Sequence, residues 1–239
     1  MTYKDIIRDN CENHSSVSWW PRFAFHYTDV TNAVSILDSG YLYSRADASH
    51  LKVMRNDNAS RQVIDMTNSG VVSKVRFYFR PLTPTQYYNE GYKHPALRYD
   101  RDENANVPVP IFLLFDLEKL LSLPGVQFSE TSQAGHGSNV YSGVDAFSRL
   151  NFDYIYDNTF ENFDATKSYR HAEIVHPNSF RQFATLGAVA LHCIKIPLIF
   201  QSKARYQSDI GLYFFWIISN LTKKFFYEKN RPGFRRTRG

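Results

Sequence analysis

The 239-residue sequence has little from which to build a membrane span, a disulfide framework or a metal centre. Its longest strongly apolar run, residues 210–221, is about a dozen residues and includes Ser219 and Asn220, whereas a bilayer-crossing helix needs about 20. The run therefore reads as a buried core element. Cys11 and Cys193 stand alone, without metal-ligand or redox spacing, which argues against a disulfide framework and suits a reducing cytoplasm. The first residues lack the basic start and apolar stretch of a secretory leader. No repeat of 20–50 residues and no low-complexity linker divides the chain. The glycine-rich dinucleotide and phosphate loops, HExxH and GxSxG are all missing, so the common cofactor and nucleophile signatures are excluded.

Net positive charge is also missing outside one place. Seven Lys or Arg residues against Glu228 give residues 221–239 a net charge of +6, leaving residues 1–220 at −1 within a total of +5. The basic isoelectric point thus describes a tail. What the chain does have is 43% apolar and 16% aromatic residues, enough for one sizeable core and against general disorder. We expect a single enzyme-sized domain over residues 1–220 followed by a basic tail over 221–239.

Tyr3 to Asn10 reads as a short helix, followed by an irregular aromatic stretch at Trp19, Trp20 and Pro21. Phe23–Phe25 reads as a short strand that delivers His26, Tyr27 and Thr28 at its end. Asp29 or Thr31 can cap the next helix, apolar residues recur at Val30, Ala33, Val34 and Leu37, and Gly40 sits where a left-handed C-cap belongs. Tyr41–Tyr43 is briefly extended, and the Asn- and Asp-rich stretch from Arg45 to Ser69 favours loops. Val75–Phe79 and Val109–Phe115 read as strands, the second leading into a helix at Asp116–Ser122. Ser129–Tyr141 is nearly devoid of apolar residues and predicts an exposed loop. Ala172–Val175 and Val189–Ile196 supply further strands. With no repeating strand-helix period, the expected class is α+β.

Three local features could carry chemistry. His26-Tyr27-Thr28 precedes a capped helix whose N–H groups suit a phosphate or carboxamide. Arg76 to Gly91 interleaves aromatics with Arg76 and Arg80. Arg170-His171-Ala172-Glu173 places a carboxylate in an apolar strand. Singly, each has a plain explanation: a hydrogen-bonded structural histidine, an aromatic core run, a solvent-facing glutamate.

In order, they resemble one family. AFHYTDVTNAVSILDSGYLYSR (24–45), MRNDNASRQVI (54–64), RFYFRPLTPTQYYNEG (76–91) and YRHAEIVHP (169–177) are similar to the successive motifs of DarT, the DNA-modifying ADP-ribosyltransferase toxins of bacterial toxin–antitoxin systems. The resemblance runs over residues 22–200. It implies an ADP-ribosyltransferase-like split β-sandwich with flanking helices and an NAD cleft, NAD as co-substrate, no metal, single-stranded DNA as acceptor, a macrodomain antitoxin as partner and a role in phage defence.

By resemblance, Glu173 is the catalytic glutamate. His26 and Thr28, with Tyr27 between them, lie at the nicotinamide and ribose end. Asn32 and Ser35 begin the adjoining helix that closes at Gly40, Tyr78 lines the NAD side, and Arg45 or Arg55 approaches the pyrophosphate. The acceptor proton falls to Glu173 or to a residue of the loop from Ser129 to Lys167, where His136 is the only imidazole in the flexible part. Gln133, Asn139, Tyr141 and Arg149 are the acceptor-side candidates of that loop. Arg76, Arg80 and Tyr87 are candidates for DNA contact, and Tyr88 and Tyr92 for stacking on bases. The segment SETSQAGHGSN replaces the Asp-Gly-Asn-Ala wording of the thymidine-modifying branch, which points to a distinct branch and leaves thymine or guanine open as the modified base. Transfer to RNA or protein on the same scaffold, or a non-catalytic nucleic-acid-binding module, are the alternatives.

Overall fold

The structure is a computed structural model that describes residues 1–57, 69–84, 110–133, 138–159, 161, 163–181 and 186–191. His136, Tyr87, Tyr88, Tyr92, Cys193, the apolar run at 210–221 and the basic tail lie outside the described residues.

The first helix, α1 (Tyr3–Asn13), starts with a capping box in which the Thr2 hydroxyl accepts from the Asp5 N–H at 3.3 Å and the Asp5 carboxylate accepts from the Thr2 N–H at 2.9 Å. It buries Ile6, Ile7 and Asn10. The second strong helix signal is equally local. In α2 (Val30–Ser39) the Asp29 carboxylate caps the Thr31 N–H at 2.9 Å, and Gly40 closes the other end at φ 71°, its N–H donating to the Ile36 carbonyl. Gly40 is therefore a helix terminator in the left-handed region, as its C-cap position in the sequence predicts.

The loop expected from Arg45 onward begins instead with α3 (Arg45–His50), because Ser44 caps the Asp47 N–H at 3.1 Å and Asp47 occupies the favourable first turn. Later helices are short: α4 (Ser69–Val72), α5 (Leu117–Leu121), α6 (Val144–Phe147), α7 (Phe152–Ile155) and α8 (Phe163–Thr166). Among the described residues, no helix is long and apolar enough to cross a membrane.

The strands are β1 (Phe23–Asp29), β2 (Tyr41–Leu42), β3 (Val75–Tyr78), β4 (Pro110–Asp116), β5 (Gln127–Ser129), β6 (Glu173–His176), β7 (Phe180–Arg181) and β8 (Leu186–Leu191). β1 runs through His26, Tyr27 and Thr28 rather than ending before them. Six strands form an antiparallel sheet in the order β5-β6-β3-β1-β4-β8, and β2 pairs with β7. This is the α+β architecture that irregular strand spacing predicts. Instead of the two packed sheets expected of a split sandwich, the described strands form one six-stranded sheet and one two-stranded pair, with a seam inside the larger sheet. β1 and β4 pair over seven residues and β3 and β6 over four, whereas β1 and β3 share only the pair Phe25↔Tyr78. Two three-stranded halves thus meet at one register pair, and the core of Phe25, Phe77, Phe115, Leu113 and Ile174 holds them together.

Candidate active site

The seam links three sequence-distant residues, with Arg76 bonding Glu173 through its side chain and His26 through its backbone carbonyl. Glu173 opens β6 directly opposite Tyr78 of β3 on one side and Ser129 of β5 on the other. Its residue exposure is 0%, so it does not face solvent. A buried carboxylate needs charge and hydrogen-bond compensation, and three donors provide it. The Arg76 Nη2 donates to Oε1 at 2.5 Å, the Ser132 hydroxyl donates to Oε1 at 3.3 Å and the Gln133 backbone N–H donates to Oε2 at 3.3 Å.

Arg76 reaches Glu173 because it stands two residues before Tyr78 on the same face of β3, the diagonal neighbour position in an antiparallel pair. Burial alone would lower the affinity of its guanidinium for its proton, yet the adjacent Glu173 carboxylate leaves it above the ordinary arginine value. Arg76 had been expected on the DNA; its side chain is instead the ion-pair partner of the glutamate.

His26 sits across the seam. Its Nδ1 lies 2.9 Å from the Arg76 carbonyl oxygen. A carbonyl only accepts, so Nδ1 carries the hydrogen and Nε2 of the neutral ring is the acceptor. Burial lowers the His26 pKa below its ordinary value, against the smaller opposing effect of that hydrogen bond. The ring stands in for a ladder bond where β1 and β3 part, with Phe77 against it at 5.8 Å. Tyr27 packs against Phe112 at 5.4 Å, the residue opposite it on β4, and so leans toward the β4 side.

The polar loop after β5 is not exposed throughout. Ser129 is fully buried and Gln133 is 4% exposed. Phe128 and Tyr141 exchange both backbone hydrogen bonds, at 2.9 and 2.8 Å, closing the neck of the loop. Inside it Ser138 donates to the Ser132 carbonyl, and the Ser129 hydroxyl donates to the Thr131 carbonyl at 2.7 Å. Hydroxyl groups satisfy the buried backbone here, which is why low apolar content misled the reading as an exposed loop. Ser132 was not singled out in the sequence; its signal was only its place beside Gln133. Asn139 and Arg149 face solvent, and Tyr141 is half-buried against Phe128.

Other candidates have structural partners. Asn32 accepts from the Arg55 and Asn56 N–H groups at 2.7 and 3.0 Å and donates to the Asn56 carbonyl at 2.7 Å, while Ser35 donates to the Val53 carbonyl. These two staple the segment 53–56 to α2 and so position Arg55. Arg45 pairs with Asp57. A shallow hollow of about 410 Å³ takes in Ser35 and Arg55 together with Thr31, Val34, Asp38 and Ser39, but neither His26 nor Glu173.

Arg80 is 1% exposed. It donates to the Ile155 and Asp157 carbonyls at 3.1 and 2.7 Å and lies 4.9 Å above the Trp20 ring. Burial and the nearby Arg170 cation push its pKa down to about 9, so it is still charged at neutral pH but out of reach of DNA, a correction to its expected role. Arg170 is likewise structural, held by Asp157 at 3.0 Å, by Thr166 and by the Phe163 ring.

Arg76 Nε and Gln133 Nε2, on two residues that bond Glu173, are buried donors without a hydrogen-bond partner among the described residues, as are Arg80 Nε and the Tyr156 hydroxyl in the core. Among the described residues, no group of three or more His, Cys, Asp or Glu could hold a metal ion.

Comparison with solved structures gives the same fold. The chain is similar to Thermus sp. 2.9 DarT in complex with NAD+, with 16% identity over 91% of this chain and 93% of that one and a TM-score of 0.52. It is also similar to Thermus sp. 2.9 DarT in complex with ADP-ribosylated ssDNA, with 15% identity, 89% and 92% coverage and a TM-score of 0.56. Thermosipho africanus DarTG in complex with ADP-ribose matches at 13% identity over 71% of this chain and 44% of that one, with a TM-score of 0.54. No curated protein sequence matches. The sequence pattern of the family described as "ssDNA thymidine ADP-ribosyltransferase, DarT" matches residues 25–182, from β1 to the end of β7, and the chain belongs to that DarT family of NAD-dependent ADP-ribosyltransferases.

Proposed function

We propose that the protein transfers ADP-ribose from NAD to a base of single-stranded DNA, with Glu173 as its catalytic carboxylate, and that it is the toxin of a pair whose antitoxin is a macrodomain. The observation that carries this reading is the fully buried Glu173 carboxylate, held by three donors on a rigid strand beside two unpartnered donors.

The transfer exchanges one bond for another. Nicotinamide leaves with the electron pair of its bond to ribose C1′, positive charge gathers on the ribose, a base nitrogen forms the new bond to C1′, and its proton is released. A carboxylate fixed beside the developing charge binds the transition state more tightly than the ground state. Oε1 of Glu173 is engaged by Arg76 and Ser132, while Oε2 has one long donor, so Oε2 accepts from a ribose hydroxyl. Neutral His26 offers Nε2 as an acceptor at the nicotinamide end, with Thr28 beyond it, and Tyr78 lies beside Glu173.

Arg55, fixed by Asn32, and Arg45, once released from Asp57, supply the cationic partners for the two phosphates. On the acceptor side, the Gln133 Nε2–H suits a base carbonyl, which thymine and guanine both carry, and exposed Asn139 and Arg149 suit the DNA backbone. His136 and Tyr87 are assigned to the acceptor side on resemblance alone.

The relatives' complexes with NAD+ and with ADP-ribosylated ssDNA support the reaction, and the DarTG relative supports the toxin–antitoxin setting. Mass spectrometry of nucleosides digested from DNA treated with protein and NAD tests it. One added ADP-ribose on a nucleoside, assigned to thymidine or deoxyguanosine, is the expected result. No adduct across a panel of single-stranded sequences, or adducts on RNA or co-incubated protein only, overturns it.

A further inference from the structure

We infer that Arg76 is a positioning residue of the reaction centre, locking the Glu173 carboxylate through its side chain and His26 through its backbone. The inference rests on the reading of Glu173 as catalytic.

No other described residue bridges both groups by hydrogen bonds. The Arg76 Nη2 donates to Oε1 of Glu173, and its carbonyl accepts from His26 Nδ1. The two ends of the site lie on opposite halves of the split sheet, β1 and β6, and β3 is the strand between them. With only one register pair between β1 and β3, the relative placement of His26 and Glu173 rests heavily on this bridge. The guanidinium fixes one carboxylate oxygen, which selects the side-chain rotamer and directs the acceptor capacity of the other to the substrate. It also neutralises a charge that burial would otherwise disfavour. Its Nε, buried and unpartnered, is a second donor at the same centre. Arginine suits this because its planar fork is preorganised and holds its charge when buried.

A role through Glu173 differs from a contact with DNA in what its loss changes. In Arg76→Ala, single-turnover transfer at saturating NAD and oligonucleotide should fall about 100-fold, the scale for removing one preorganised donor. The affinities for NAD and DNA, and the salt dependence of DNA binding, should stay near those of the unmodified protein. Added guanidinium should restore part of the rate, and Arg76→Lys should fall between the two. In a double-mutant cycle, adding Arg76→Ala to Glu173→Gln should cost no further activity, since the first change acts only through the second residue. The Arg76→Ala/Glu173→Gln pair also carries no unpaired buried charge, so its comparison with Glu173→Gln still tests the inference if Arg76→Ala alone folds poorly, and a further loss of turnover in the pair overturns it. An Arg76→Ala protein with unchanged or increased turnover, or with weakened DNA binding and a shallower salt slope, overturns the inference while leaving the transfer reaction standing. Absence of any adduct from the unmodified protein overturns the underlying reading and this inference with it.

Discussion

What Glu173 and His26 can do is decided by what surrounds each side chain. Glu173 is buried as one member of an ion pair; Glu173→Gln keeps the shape and removes the charge, so transfer should drop about 100- to 1,000-fold, as expected for a lost transition-state electrostatic contact. Rapid-quench measurement of nicotinamide release would check it, and a rate near that of the unmodified protein would remove Glu173 from the mechanism.

Half-buried His26 has a pKa held below the ordinary value of 6.5 by desolvation. Below about pH 6.5 the unfolded chain takes up a proton there that the folded chain refuses, so folding stability present at neutral pH falls as pH drops through that range. His171 adds to the same trend, its pKa lowered by burial and by the Arg76 and Lys167 cations. The carboxylates with depressed values, Asp47 and Asp157, act in the same sense on a lower range, losing their contribution only as pH falls through and below about 4. Urea midpoints at pH 7.5 and 5.5 should therefore differ more for the unmodified protein than for His26→Gln.

At the scale of elements, the segment from α7 to α8 owes its place to one buried polar cluster. Asp157 accepts from Arg170 at 3.0 Å, from Thr166 at 3.0 Å and from Thr159 at 2.8 Å, and its carbonyl accepts from Arg80. Asp157→Ala leaves Arg170 buried without its carboxylate, and breaking such a pair costs about 3–5 kcal/mol; chemical denaturation should show a loss of that size, together with weaker activity, because Arg170 belongs to the short 3-10 turn Tyr169–His171 that precedes β6 by one residue.

A second element-scale expectation concerns the turn before β5. Gly125 has φ +76°, and a Cβ there would meet the Pro177 ring at 2.9 Å. Gly125→Ala should destabilise by roughly 1–2 kcal/mol from the left-handed conformation alone, with the clash added, and thermal unfolding would register it.

Across the whole molecule, charge and chemistry are separated. The residues that form the site belong to a body of net charge −1, while residues 221–239 carry +6. Non-specific DNA binding that releases counterions depends on the number of phosphates neutralised. Removing residues 221–239 should weaken DNA binding mainly at low salt and flatten its salt slope, while base preference, set by the cleft, stays unchanged. A salt titration of oligonucleotide affinity alongside adduct sequencing would separate the two.

What was legible in the sequence was local: the Asp29 and Gly40 caps of α2, the apolar strands, the order of the four motifs, and Glu173 in a strand. These follow from contacts between residues a few positions apart, or from patterns that a strand or helix period imposes. What only the tertiary structure decided were partners far apart in the chain. Arg76 and Glu173 are separated by 97 positions and Arg80 and Asp157 by 77, and both arginines stand in one aromatic run that sequence reading assigned to DNA. Nothing local distinguishes an arginine that lies over Trp20 in the core from one that holds the Glu173 carboxylate. The register of β3 against β6 makes that choice, because in a pleated sheet it alone determines which side chains stand opposite and on which face.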